Sequence, residues 1–250
     1  MKRIILLGLL IWSFTSWSQA ETQALKHANS LYAKNKFEAA AKEYENILKN
    51  EGDAPELYYN LGNAYYKSNE IGLSILNYER ALRINPTFDD ARFNLELAQQ
   101  KVVDNIIQAP TFFLGRWINY LIQLFSSNQW LYIGFVVFIL ALISAFLFVF
   151  GSSYFLRKTS FYTGIFLLLI SVFSIFFSGV RNQQLMNHRD AVIMSGAVSV
   201  KSSPDKSGTD LFQLHEGTII SIKSTLGNWD EIILGNGSVG WIEQQNLEII

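Results

Sequence analysis

The chain has 250 residues, a formal net charge of −1, 50% hydrophobic residues and no cysteine. The balanced charge offers no basic stripe for nucleic acid, and the missing cysteine excludes disulfides, thiol catalysis and thiolate metal sites. Charge is also unevenly placed: between Trp130 and Val180 the only charged residues are Arg157 and Lys158, which is not how a soluble domain distributes its charge.

Residues 1–20 begin with the basic pair Lys2 and Arg3, continue through the apolar run Ile4 to Trp12, and end on Ser18-Gln19-Ala20 ahead of Glu21. A short apolar run between a basic start and a small-x-small site is the pattern of a signal peptide. An uncleaved anchor is the alternative reading, and either one exports the segment after it.

Residues 21–104 contain an internal repeat. Leu31–Leu48 aligns with Tyr65–Leu82 at a spacing of 34 residues, setting Tyr32 on Tyr66, Asn35 on Asn69, Tyr44 on Tyr78 and Leu48 on Leu82. Paired helices with this period are the signature of the tetratricopeptide repeat (TPR). The second copy resembles that family through Tyr58, Leu61, Gly62, Tyr65, Ser74, Tyr78, Ala81 and Pro86. Gly62 and Ala81 let neighbouring helices approach while the aromatic rings fill the gaps. Asp89 to Val103 begins a third copy and stops, so the domain reads as two repeats plus a capping helix. Repeats bury their faces by stacking, and about three are usually needed; a solenoid this short is expected to lean on a partner, on a second copy of itself as a homo-oligomer, or on the membrane. The resemblance implies peptide binding in a groove lined by the first helix of each repeat, here Asn29, Tyr32, Tyr59, Asn63 and Tyr66. A carboxylate-gripping clamp is not expected, since Asp90 and Asn94 stand where its basic residues would be.

Residues 111–128 place Phe113, Trp117, Ile118, Leu121 and Leu124 at helical spacing opposite Arg116, Asn119 and Gln123. Such a helix either lies in a membrane interface or packs against the spans beyond it. Residues 130–150 and 161–180 are two uncharged apolar runs, each near the roughly 20 residues that cross a bilayer core. Trp130, Tyr132 and Tyr162 sit near their ends, where amphipathic rings prefer the headgroup zone. The loop between the spans is read as carrying Arg157 and Lys158, which favour the cytoplasmic side. The flanking domains are then both outside, in agreement with the exported N-terminus: a two-pass protein of a bacterial inner membrane with periplasmic domains.

Residues 190–250 have strand character over Ala191–Met194, Val198–Lys201, Thr218–Lys223, Trp229–Leu234 and Ser238–Ile242, with Gly235-Asn236-Gly237 suited to a tight hairpin. The order of Val198-Ser199-Val200-Lys201, Glu216-Gly217-Thr218-Ile219, Gly227-Asn228-Trp229 and Gly237-Ser238-Val239-Gly240-Trp241-Ile242 resembles bacterial SH3-like (SH3b) domains. That resemblance implies a small barrel that binds peptides or cell-wall glycopeptides, with Trp229 and Trp241 as candidate surface residues. Lys201 and Ser203 depart from the family's arginine and glycine.

The run Gly235 to Gly240 formally matches G-x-G-x-x-G, but Trp241-Ile242 continues a strand where a dinucleotide loop would open a helix. His27, His188 and His215 are scattered without ligand spacing, and no catalytic or cofactor motif occurs. The fold class expected is therefore a multidomain membrane protein: an all-α TPR helical repeat, a two-helix transmembrane hairpin and an all-β SH3-like barrel, without enzymatic activity. This domain order resembles the BatE-type proteins of Bacteroides aerotolerance operons. The resemblance implies envelope partners, namely membrane proteins with von Willebrand A domains beside a MoxR-type ATPase, and a scaffold role linked to stress or oxygen tolerance. A cell-wall-binding module that recruits an enzyme through its repeats, and a signalling sensor, are the alternatives.

Overall fold

A computed structural model describes residues 23–104, 106, 112–187 and 189–250, with backbone only for Leu114 and residues 185–187. The leader expected over residues 1–20 lies outside them, as does His188.

Five helices form the N-terminal domain: α1 (Gln23–Ala33), α2 (Phe37–Glu51), α3 (Pro55–Lys67), α4 (Ile71–Ile84) and α5 (Asp89–Gln99). They pair as two helical hairpins and a cap. Each hairpin turns on an asparagine with positive φ, Asn35 at 59° and Asn69 at 65°, one repeat apart; asparagine tolerates this left-handed region better than most side chains. α3 opens on Pro55, where a missing N–H costs nothing. Ala28, Ala40, Ala64 and Ala81 are fully buried at the helix contacts, and Tyr44 and Tyr78 fill the gaps between them. Gly62 has to be small: a Cβ there would lie 2.7 Å from the Tyr78 ring.

After α6 (Phe113–Gln123), two long helices form a hairpin, α7 (Ser127–Phe150) and α8 (Tyr154–Asn187). Both are long and apolar enough to cross a membrane. Their seam is built of small and hydroxyl residues. Ser171 Oγ donates to the Gly134 carbonyl at 2.9 Å, Ser144 Oγ to the Ser160 carbonyl at 2.8 Å, and Ser178 Oγ to the Ser127 carbonyl at 2.8 Å. Close backbone approach with such bonds is how helices associate where lipid removes the hydrophobic drive. Phenylalanines and leucines cover the outward faces and stay exposed. One expectation is corrected here. Arg157 and Lys158 are not in the interhelical loop, which is Gly151 to Ser153; they belong to the start of α8. Ser153 caps that helix, its Oγ accepting from Leu156 N at 3.2 Å and its carbonyl from Arg157 N at 3.1 Å, so the helix starts before the cations. They remain at the tip end of the hairpin.

The C-terminal region is one antiparallel sheet of seven strands in the order β3-β2-β6-β5-β4-β1-β7: β1 (Asp190–Ile193), β2 (Ala197–Lys201), β3 (Asp210–His215), β4 (Ile219–Leu226), β5 (Trp229–Ile233), β6 (Val239–Glu243) and β7 (Leu247–Ile249). Its core holds Ala191, Ile193, Val200, Leu214, Ile220, Ile232 and Ile242. Gly240 lets β6 pass β2, since a Cβ there would stand 2.4 Å from Val200 Cγ1. β3 and β7 were not among the strands read from sequence. β3 carries Asp210, Gln213 and His215, which break its apolar run, and β7 is only three residues long.

The sheet docks on the second repeat. Val192 of β1 is fully buried in one apolar cluster with Ile75, Leu76 and Tyr78 of α4 and Leu95 and Ala98 of α5. The short solenoid therefore leans on a domain of its own chain.

Candidate interaction site

The five groove positions lie on the first helices of the repeats, Asn29 and Tyr32 on α1 and Tyr59, Asn63 and Tyr66 on α3. A repeated hydrogen bond orients both asparagines: Tyr44 OH donates to Asn29 Oδ1 at 2.6 Å, and Tyr78 OH donates to Asn63 Oδ1 at 2.7 Å. Burial, above all, raises the Tyr78 phenol from its ordinary 10.0, which keeps the proton it donates. Asn94 of α5 also donates to Asn63 Oδ1 at 2.8 Å and reaches Tyr59 OH at 3.4 Å. With its oxygen engaged twice, Asn63 has its NH2 end to offer a ligand.

Tyr32 stacks edge-on against Phe37 at 5.2 Å. Its pKa is raised first by burial and then by the charge of Tyr59. Tyr59 packs on Phe88 at 5.0 Å, and Lys101 Nζ stands 4.1 Å above the Tyr66 ring. The structure thus brings Tyr59, Asn63 and Asn94 together, sets Tyr32 against Phe37, and leaves Tyr66 with Lys101. Phe88 and Lys101 were not singled out from sequence, although Lys101 stands 34 residues after Lys67.

On the sheet, Trp229 pairs across from Glu243, and Trp241 across from Glu231 and Lys201. Asp230, Ile232 and Ile242 alternate with them into the core, so both tryptophans lie on the opposite, outer face. A shallow cavity of about 240 Å³ there is lined by Trp229, Lys201 and Glu243, without Trp241.

A third cluster joins the domains, and local spacing gave no sign of it. Asp104 Oδ2 accepts from His215 N at 2.6 Å and from Thr218 Oγ1 at 2.6 Å, while Oδ1 pairs with His215 Nδ1 at 2.8 Å. Burial opposes ionisation of this carboxyl, but the bonds from Thr218 and His215 prevail and hold it below its ordinary 3.8. Gly72 N, at the start of α4, donates to Glu216 Oε1 at 2.9 Å. Gly217 follows with a φ of +86°, and a Cβ there would stand 2.8 Å from Val102. On the far side Arg80 Nη2 donates to the Ile249 carbonyl at 2.7 Å, and Arg83 donates to the Ile250 carbonyl. None of these groups is arranged as a nucleophile with a base, and the cluster acts as a fastening.

Residues 25–87 match the tetratricopeptide repeat family. The chain therefore contains a TPR domain, a type of module that mediates protein–protein interaction. No curated protein matches the chain.

Proposed function

We propose that the protein is a membrane-anchored scaffold for protein–protein interaction, with its TPR groove and its β-domain both on the periplasmic face. The observation that carries this reading is the repeated Tyr–Asn bond, which fixes Asn29 and Asn63 in the same pose on the first helices of successive repeats. Two pre-oriented amides one repeat apart beside aromatic rings suit an extended peptide, whose backbone presents a polar group at each residue. The hairpin supports the anchored part of the proposal: apolar outer faces and a hydroxyl-lined seam fit a lipid surround. Cations at the tip favour a cytoplasmic tip and a periplasmic base. The β-domain is read as SH3-like. The partners implied by the BatE-type resemblance are von Willebrand A domain membrane proteins working with a MoxR-type ATPase, in an envelope complex tied to stress or oxygen tolerance.

The test is in-cell photo-crosslinking from position 66 of the full chain. Capture of an envelope protein carrying a von Willebrand A domain, reduced severalfold by Asn63→Ala, is the expected result. Crosslinks that fall only within the chain itself would overturn the groove. A reporter fused after residue 250 that is active in the cytoplasm would overturn the orientation.

A second reading, a cell-wall binder, draws on Trp229 and Trp241 of the outer sheet face. Retention of the solubilised full chain on purified sacculi, lost in Trp229→Ala, would favour it over the protein scaffold.

A further inference from the structure

Helix α6 (Phe113–Gln123) carries a single charged residue, Arg116, and at about 100° per residue its side chains divide among three sides. Ile122, only 3% exposed, marks the first side, and the helix packs against α8. Trp130, in the first turn of α7, ties that end of α6 to both long helices. Its Nε1 donates to the Ile122 carbonyl at 3.0 Å, and its ring meets Phe125 at 5.0 Å and Phe177 of α8 at 5.2 Å. The second side holds Asn119 and Gln123, which border the same cavity as Leu82, Arg83 and Arg92 of the TPR domain. The third side lies opposite Ile122 and turns away from the polar pair. It holds Phe113, Trp117 and Tyr120, which are 72%, 61% and 61% exposed. Phe112 extends it, with its ring 4.8 Å from that of Phe113.

The hairpin says what covers this stripe. Trp130 stands at the start of a helix long and apolar enough to cross a membrane. Its bond to Ile122 therefore sets the end of α6 at the level where the apolar stretch begins, which is the headgroup zone of a spanning helix. The outward faces at the same end of the hairpin are apolar as well: Leu131, Tyr132 and Phe135 of α7 and Phe173 and Phe176 of α8 are all exposed. A bilayer around those residues meets α6 at its own level. A helix in the interface needs a polar side toward water and an apolar side toward the acyl chains. Asn119 and Gln123, facing the TPR domain, supply the first, and the aromatic stripe supplies the second. Tryptophan and tyrosine are the rings enriched at that depth.

We infer that the stripe formed by Phe113, Trp117 and Tyr120 is a lipid-binding surface, immersed in the interface of the leaflet at the hairpin base. The inference rests on the reading of α7 and α8 as membrane spans. It gives α6 three neighbours, the hairpin at Ile122, the TPR domain across the polar pair and lipid at the aromatic stripe. Held on three sides, the helix sets how the TPR domain stands on the membrane.

The chain has no cysteine, so a single introduced cysteine can carry a nitroxide without background. The full chain, labelled at one position at a time, is reconstituted in vesicles of phosphatidylethanolamine and phosphatidylglycerol. Collision rates of the nitroxide with oxygen, which concentrates in lipid, are compared with those for a water-soluble nickel chelate. At Phe113→Cys, Trp117→Cys and Tyr120→Cys, all replacing exposed side chains that folding does not need, oxygen exceeds the chelate severalfold. At Asn119→Cys the order reverses. Chelate-dominated collisions at the three stripe positions place them in water and overturn the proposal. Low accessibility to both reagents there means that protein covers the stripe, which overturns it equally. Oxygen-dominated collisions at Asn119 would submerge the whole helix and overturn the interfacial placement. Leu142→Cys, at an exposed position in the middle of α7, separates the premise from the surface. Oxygen-dominated collisions at Leu142 with a chelate-dominated stripe lose the α6 surface alone, whereas chelate-dominated collisions at Leu142 bring down the spanning reading and the lipid surface together.

Discussion

The two helical repeats share one plan and are finished differently. Both turn on a left-handed asparagine, Asn35 and Asn69, and both bond a buried tyrosine to a groove asparagine at the same offset. They part where the second repeat meets the sheet. Glu38, exposed in the first copy, corresponds to Gly72, whose backbone N–H takes Glu216 and whose missing side chain leaves room for it. Ala41 corresponds to Ile75, which is fully buried in the cluster that receives Val192. The first repeat closes on its own alanines and tyrosines, whereas the second is modified at the positions that face the sheet. Departures from a repeat's own pattern can thus be read as docking adaptations, each tied to a residue far away in sequence.

The strongest way to break this contrast is Ile75→Ala. Truncating a fully buried isoleucine costs about 2–4 kcal/mol, and here the cavity opens beneath Val192 and Gly217. Chemical denaturation of the solubilised full chain should show the loss, with faster hydrogen exchange at residues 191–193 and 215–219. Glu38→Ala, at the exposed counterpart of Gly72, should stay within about 0.5 kcal/mol. Matching losses from the two variants would mean that the sheet is not fastened through the second repeat.

Asp104→Asn attacks the same joint through its polar half, at a cost of about 2 kcal/mol for charge-assisted bonds. The pH dependence follows from the direction of the shift. A carboxyl held below its ordinary 3.8 contributes stability that is complete above that value and lost as pH falls through the lowered one. Wild type should therefore exceed the variant at neutral pH and converge on it in acid. A difference that persists unchanged below the ordinary carboxyl value would assign the loss to packing and not to charge.

Much of the fold was legible because it is written locally. The 34-residue spacing exposed the repeats, the uncharged runs exposed α7 and α8, and alternating apolar residues marked five of the seven strands. The candidate groove positions were proposed on the repeat register, which carries Asn29 to Asn63 and Tyr32 to Tyr66. The bonds that orient them could not be named, since Asn63 depends on Tyr78 and Asn94 from two other helices. The joint was invisible for the same reason on a larger scale. Asp104 meets His215 across 111 positions and Gly72 meets Glu216 across 144, and no periodicity records such pairs. The start of α8 was misplaced because a serine cap, and not the nearest charge, decides where that helix begins.

The smallest expected effect sharpens the shared half of the comparison. Tyr44→Phe and Tyr78→Phe each remove one hydroxyl and keep the ring, so each should cost about 1 kcal/mol, the net worth of a single hydrogen bond. Near-equal losses would mean that the two repeats hold their groove asparagines alike, whatever lies behind them. The second repeat allows a finer measurement, because Tyr78 and Asn94 donate to the same oxygen of Asn63. Removing either donor leaves the amide pinned by the other; removing both frees it to rotate. Tyr78→Phe combined with Asn94→Ala should therefore exceed the sum of the single losses by roughly 0.5 kcal/mol or more. Strict additivity would show that the two donors act independently, and that the pose of Asn63 is set by helix packing and not by its hydrogen bonds.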